Sequence, residues 1–164
     1  MFTLSFPPQE FCLACQGCCR FQDSCSPWRP KVYAKEECFS RAQGPLNADQ
    51  EGYLRTRCVQ GVWLCDHLDA RTNHCQVYSW RPFECALYPF LLVRNKDAIA
   101  VAVHLACPYV QEKKDLVCFQ DVCAQVKKFF EEKDVKSFLR SCKENIVSDH
   151  IQGEEVQIIF PVES

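Results

Sequence analysis

Glycine is scarce in this sequence, which holds only five glycines among 164 residues. No G-x-G-x-x-G loop follows a predicted strand, so the sequence predicts no S-adenosylmethionine-binding domain. The sequence also lacks a P-loop, an HExxH helix, a Ser/His/Asp order and carboxylate pairs at catalytic spacing. Conventional hydrolase and kinase chemistry is therefore without support, and no catalytic residue is predicted.

Long apolar runs are also missing. Tyr88–Val93 and Ala98–Val103 are far shorter than the roughly 20 residues that cross a bilayer. Met1–Cys19 contains no Lys or Arg and is interrupted by Pro7-Pro8, whereas a secretory signal has a basic start and an unbroken apolar run. We therefore expect a cytoplasmic protein with no membrane span.

Positive charge is not in excess: the sequence has 19 Lys and Arg residues and 21 Asp and Glu residues, which give a net charge of −2. Nucleic acid binding relies on a surplus of Lys and Arg on one face. The sequence therefore predicts no nucleic acid partner. A redox or other protein partner is expected, but the sequence does not identify it.

Cysteine, by contrast, is abundant: the chain has 14. So many cysteines indicate either disulfides in an oxidising compartment or metal ligation in a reducing one. With no predicted export signal, we favour metal ligation over disulfides. A catalytic thiol is less favoured, since it normally stands alone beside a base, and here the thiols are crowded.

The spacing of the cysteines separates two groups that suit a metal. The first packs four thiols into eight residues, as Cys12-x2-Cys15-x2-Cys18-Cys19. Thiolates at this spacing can surround a tetrahedral zinc ion or supply corners of a cubane iron–sulfur cluster. The second group is spread over the central region and consists of Cys65, Cys75, Cys85 and Cys107.

The hydrophobic pattern predicts an α+β fold of short elements. The predicted helices are Ala34–Ala42, Ala48–Arg57 and two amphipathic helices with apolar stripes, Phe119–Phe130 and Val135–Ile146. The predicted strands are Val62–Cys65, Cys75–Tyr78, a hairpin of Leu91–Val93 with Ile99–His104 around residues 95–97, and an edge strand Val156–Phe160.

We therefore expect a small single domain over residues 1–164. Cysteine-rich loops and short strands would form a metal-binding region at 12–108. The two C-terminal helices, within a helical part at 109–150, would cover that region.

The cysteine motifs resemble those of the YkgJ-type cysteine-cluster family, described as zinc- or iron-chelating domains. The shared pattern comprises the N-terminal C-x2-C-x2-CC run, Cys65, the segment from Cys75 through Tyr78 and Arg81-Pro82 to Cys85 and Pro89, and Cys107-Pro108. The resemblance implies metal or iron–sulfur binding by eight cysteines. These are Cys12, Cys15, Cys18, Cys19, Cys65, Cys75, Cys85 and Cys107.

Other residues near these cysteines are candidates for supporting roles. Arg81 would donate hydrogen bonds to cluster sulfurs or pair with Glu84 or Asp66, and Tyr78 would shield the centre or simply pack. Extra ligands could come from His104, His67, His74 or Cys25. The remaining cysteines lack ligand spacing, and Cys142 has an apolar helical position that predicts core packing.

The leading hypothesis is an iron–sulfur protein, with a 4Fe–4S cluster favoured, in electron transfer or redox-linked modification. A zinc-binding structural or interaction module is the alternative, because zinc has no redox chemistry. Metal delivery is a third hypothesis, since crowded thiolates suit a soft ion in transit. Whether the protein is an enzyme is left open.

Overall fold

The structure, a computed structural model, describes residues 7–15, 17–36, 44–95, 98–142 and 156–162. Helices and two small antiparallel sheets confirm the predicted α+β class, with helices towards the C-terminus. The chain forms two compact units, Met1–Ala86 and Leu87–Ser164. That the chain is a single domain stays a prediction.

The first unit is built on a three-stranded antiparallel sheet in the order β1-β3-β2. Its strands are β1 (Arg20–Phe21), β2 (Thr56–Val59) and β3 (Val62–Cys65), the last as predicted. Gln60 and Gly61 join β2 to β3 with φ of 52° and 82°. Two positive φ angles are what a tight two-residue turn between antiparallel strands requires.

Short helical pieces surround this sheet. They are α1 (Gln9–Cys15), a 3-10 turn at Gly17–Cys19, a second 3-10 turn at Tyr78–Trp80, and α2 (Phe83–Leu87). Residues 34–36 are helical, at the start of the helix predicted there, and residues 37–43 lie outside the described part of the chain.

Two predicted elements of the first unit are wrong. In place of a helix over Ala48–Arg57, Ala48 bridges to Leu54 around a turn in which the Asp49 carboxylate accepts the N–H of Glu51 at 3.0 Å. Aspartate competes in this way with helical hydrogen bonding. In place of a strand over Cys75–Tyr78, Cys75 makes a single bridge to Leu68 and a 3-10 turn follows.

A small hydrophobic core stabilises the first unit. Its buried members come from the sheet and from the loops on either side, and they are Phe21, Val32, Leu54, Leu64, Cys65 and Leu68. Two further cysteines, Cys19 and Cys85, pack against this core while remaining partly buried. Thiol groups therefore form part of the core of this unit and of the layer that packs against it.

The second unit contains a three-stranded antiparallel sheet in the order β4-β5-β6, made of β4 (Phe90–Asn95), β5 (Ala98–His104) and β6 (Val156–Val162). Antiparallel pairing of β4 with β5 agrees with the two predicted apolar strands. Residues 96–97 lie outside the described residues, so the hairpin turn stays a prediction. The predicted edge strand is present as β6, and its edge position tolerates Pro161.

Three helices accompany the second sheet: α3 (Pro108–Lys113), α4 (Val117–Glu131) and α5 (Lys133–Cys142). The apolar stripes of α4 and α5 are buried, as predicted for core packing. Phe119 stacks on Phe90 with ring centroids 6.0 Å apart, and Phe130 meets Phe160 edge-on at 6.0 Å. These contacts pack α4 against the second sheet. Within the described ranges, no helix has the length and apolar character to cross a bilayer.

Candidate metal centre

The N-terminal cysteine run folds as one helix followed by a tight turn. Cys12 and Cys15 lie three residues apart on α1, so they share one face of that helix. The 3-10 turn then carries Cys18, which is exposed, and Cys19, which is half-buried. The change from helix to turn brings consecutive cysteines to the start of β1, next to the core of the first unit.

Three central cysteines join this group from separate elements. Cys65 ends β3, Cys75 bridges to Leu68 after a loop, and Cys85 lies in the middle of α2. The thiols of Cys18 and Cys19 share a hydrogen bond. Charges on the members of the group act on one another's pKa values, and Cys19, Cys65 and Cys85 pack in or against the same core. The group, called here the thiol cluster, consists of Cys18, Cys19, Cys65, Cys75 and Cys85.

Burial keeps most of the thiol cluster protonated. It raises the pKa of Cys65 to about 11 and that of Cys75 above its ordinary value. Burial and the neighbouring thiolate charges raise the pKa of Cys85 well above its usual range. The hydrogen bond with Cys18, followed by burial, does the same for Cys19. A bound cation would reverse this balance, because it favours the thiolate form.

Cys18 is the exception in the thiol cluster. Its hydrogen bond with Cys19 and the charge of Arg81 together lower its pKa against the opposing effect of burial. Cys18 is therefore the thiol of this cluster that ionises first, and it lies on an exposed residue.

Backbone amides also face two of the sulfurs. The N–H of His67 lies at the Cys65 thiol and the N–H of Val77 at the Cys75 thiol, and each lowers the pKa that burial raises. In both cases the amide is two residues after its cysteine. Amide donors to sulfur are a recurrent means of stabilising metal-bound thiolates.

Arg81 and Tyr78 lie beside the thiol cluster. The Arg81 guanidinium stacks over the Tyr78 ring, with 4.4 Å from Cζ to the ring centroid. Its charge lowers the pKa of Cys18, Cys75 and Cys85, each against the effect of burial. The two acids proposed as alternative partners have other contacts: Glu84 accepts the Tyr33 hydroxyl, and Asp66 accepts the Asn47 amide at 2.6 Å.

The remaining predicted ligands have different positions. A charge on Cys12 adds to the rise that burial causes in the pKa of Tyr78, which places Cys12 beside that ring. Cys15 lies one turn further along α1. Cys107 belongs to the second unit, where it is buried and its N–H donates to the His104 carbonyl at 3.2 Å. Five of the eight predicted ligands, those of the thiol cluster, thus act on one another's pKa values in the first unit.

Of the four candidate extra ligands, two form hydrogen bonds through a ring nitrogen and two are exposed. His67 Nε2 accepts the Asn47 N–H at 3.1 Å, so its lone pair is already used. His104 Nδ1 forms a hydrogen bond of 3.0 Å with the Tyr88 hydroxyl in the second unit. His74 and Cys25 are exposed. Cys142 is buried on α5, which confirms its predicted place in the core.

Sequence reasoning missed Arg57, which organises the loop after Cys65. Its guanidinium donates to the carbonyls of Cys65 at 3.2 Å, of Asp66 at 2.6 Å and of Leu68. Arg57 sits in β2 opposite Leu64, far from any cysteine motif. Only a strand register that placed it beside the end of β3 would have revealed this role.

As the side chains stand, no group of three or more His, Cys, Asp or Glu in the described residues is arranged to hold a metal ion. The donor chemistry nevertheless fits a thiophilic ion, because Arg81 lowers the pKa of three of these thiols and a backbone amide lowers the pKa of each of two. The chain matches no family model, no curated protein and no solved structure. The resemblance to the YkgJ-type proteins therefore depends on the motif residues alone.

Proposed function

We propose that the chain binds a metal centre through the thiolates of its first unit. A 4Fe–4S cluster is the first candidate, and electron transfer or redox-linked modification is its proposed role. The observation that carries the proposal is that Cys18, Cys19, Cys65, Cys75 and Cys85, from four separate elements, act on one another's pKa values, with three of them in or against one core. When bound, such a cluster would supply one-electron transfer.

The chain's own residues would prepare the site for this centre. Cys18, the most easily ionised thiol, would bind first, and the buried thiols would follow by losing protons. Arg81 and the amides of His67 and Val77 would then offset the negative charge of the sulfurs. Cys12 and Cys15, also in the first unit, complete the proposed ligand set there, and ligation by Cys107 is implied by the resemblance alone.

A zinc-binding structural module is the second candidate. The observation that favours it is the position of Cys65 and Cys85, which lie in or against the core of the first unit. An ion held there would cross-link β3 to α2 and stabilise loops, without any redox change. Delivery of a soft ion is the third candidate, because the exposed Cys18 thiol could pass an ion to an acceptor.

Anaerobic purification followed by metal and acid-labile sulfide analysis tests these candidates. Iron with sulfide in a brown protein supports the cluster, whereas a colourless protein with stoichiometric zinc overturns it. Transfer of the metal to an acceptor protein without a reductant would favour delivery. A protein that takes up neither metal under these conditions would overturn the whole proposal.

Variants identify the ligands. We expect Cys65→Ser and Cys85→Ser to lose most of the metal, because both remove sulfurs of the thiol cluster. Cys58→Ser, at an exposed position on β2, and Cys142→Ser, in the other unit, are the matched controls and should retain it. Equal loss from Cys142→Ser and Cys85→Ser would show that the proposed ligand set is wrong.

A further inference from the structure

Two carboxyl groups lie in the interior of the first unit without a metal motif around them. Glu36 is only 6% exposed, and Glu84 is half-buried on α2, next to Cys85. Carboxyl groups are rarely buried unless they have partners. Their presence beside the thiol cluster therefore calls for a structural reason.

The partners of these carboxyls connect α2 to a segment about 50 residues earlier in the chain. An oxygen of the Glu36 carboxyl group accepts the N–H of Phe83, the first residue of α2, at 3.0 Å. Glu84 accepts the N–H of Lys31 at 2.7 Å and the hydroxyl of Tyr33. Three hydrogen bonds thus link residues 31–36 to the start of α2, and we call Tyr33, Glu36 and Glu84 the carboxyl latch.

The helix that the latch contacts, α2, is too short to be stable on its own. α2 has five residues, whereas helices of fewer than about 12 residues are marginal in water even with good formers. Phe83 and Leu87 are buried, but the hydrophobic effect that stabilises their burial is non-directional. Directional hydrogen bonds at its first two residues can do so. Cys85 follows immediately, so the latch sets where its sulfur points.

We propose that the carboxyl latch positions Cys85 within the thiol cluster, with Tyr33, Glu36 and Glu84 acting as positioning residues. The consequence for metal binding depends on the proposed function. The placement of Cys85 itself does not, so the two can be tested separately.

The first test is the rate at which each cysteine is alkylated in the reduced, metal-free full chain, resolved by mass spectrometry. We expect Tyr33→Phe and Glu36→Ala to accelerate labelling of Cys85 about tenfold or more, as loss of one buried hydrogen bond allows. Cys65, held by β3, and Cys142, in the second unit, should change less than about twofold. Glu36→Gln, which keeps an acceptor oxygen for Phe83, should not accelerate labelling of Cys85.

Two results would overturn the proposal. An unchanged rate at Cys85 in Glu36→Ala and Tyr33→Phe would show that the latch does not hold α2. Acceleration of Cys65 and Cys142 by the same factor as Cys85 would show a general loss of folding instead. Tyr53→Phe, a half-buried tyrosine that packs under Arg29, is the matched control and should leave the rate unchanged.

The second test is a double-mutant cycle measured by titration with Co²⁺, whose thiolate charge-transfer absorption reports sulfur ligation. We expect Tyr33→Phe to weaken Co²⁺ binding about fivefold or more, and to have no further effect when Cys85→Ser is already present. An equal loss in both backgrounds would mean that Tyr33 does not act through Cys85. Wild type that binds no Co²⁺ would count against the proposed function, while the alkylation rates would still decide the latch.

Discussion

Replacing Glu36 by glutamine is expected to stabilise the first unit at neutral pH. The Glu36 carboxyl is 6% exposed, one oxygen accepts the Phe83 N–H, and the other has no partner among the described residues. Burial, opposed by the Phe83 amide and reinforced by the charge of Glu84, raises its pKa from 4.5 to about 8. Glutamine keeps the shape of the side chain and one acceptor oxygen. Because its amide is neutral in both the folded and the unfolded chain, burying it requires no change of charge.

The sign of the pH dependence follows from the proton count. Below pH 4.5 the carboxyl is protonated in both folded and unfolded chains, so it contributes no pH dependence. Between 4.5 and about 8 the folded chain binds the extra proton, and stability therefore falls as pH rises. The full difference corresponds to about 5 kcal/mol, of which about 3 kcal/mol is already lost at pH 7.

Urea unfolding followed by tryptophan fluorescence can measure this effect, because all three tryptophans, Trp28, Trp63 and Trp80, belong to the first unit. The metal-free wild type should lose stability between pH 5 and 8, and Glu36→Gln should remove much of that slope. Glu51→Gln, at an exposed position, is the control and should keep the wild-type slope. Parallel curves for Glu36→Gln and wild type, or a less stable variant at pH 7, would refute the reasoning.

Three further predictions concern the thiol cluster and its surroundings. Arg57→Ala removes the donors to the carbonyls of Cys65, Asp66 and Leu68, and it should lower the unfolding free energy of the first unit by about 2 kcal/mol in the same urea assay. The control Arg71→Ala, at an exposed position, should change the unfolding free energy little. Equal losses of unfolding free energy in the two variants would contradict the role of Arg57. Arg81→Met removes a charge that lowers the pKa of Cys18, so the pH profile of Cys18 alkylation should move to higher pH, and an unmoved profile would place Arg81 outside the cluster. Zn²⁺ binding should release protons and should weaken from pH 8 to pH 6, because burial raises the pKa of Cys65 to about 11 and thiols must ionise to bind. Calorimetry in buffers of different ionisation enthalpy measures the number of protons released. Zn²⁺ binding without proton release would contradict this prediction.

The local elements could be predicted where a single pattern dominated. The stripes of Phe119, Phe130 and Phe138 predict helices because they recur at helical spacing, and β-branched residues predict β5 and β6. Where a side chain competes with the backbone, the prediction fails. Asp49 binds the amides of a turn and so prevents the helix expected there.

Part of the candidate site could be predicted from cysteine spacing. The motifs identify Cys18, Cys19, Cys65, Cys75 and Cys85 as potential ligands, but spacing along the chain carries no information on which sulfurs meet. Arg57, Glu36 and Tyr33 carry no motif. Their importance depends on strand register and on contacts between residues about 50 positions apart.

The sequence by itself determined the α+β class, the C-terminal helices and the unusual density of thiols, because composition and periodicity are properties of the chain. Only the tertiary structure decided that five of those thiols gather in the first unit while Cys107 belongs to the second. It also decided in which direction the pKa of each clustered thiol moves, since burial and neighbouring charges shift a pKa and both depend on long-range packing. Scarcity of glycine left no nucleotide-binding loop in the sequence, and the function proposed for this protein depends on its cysteines.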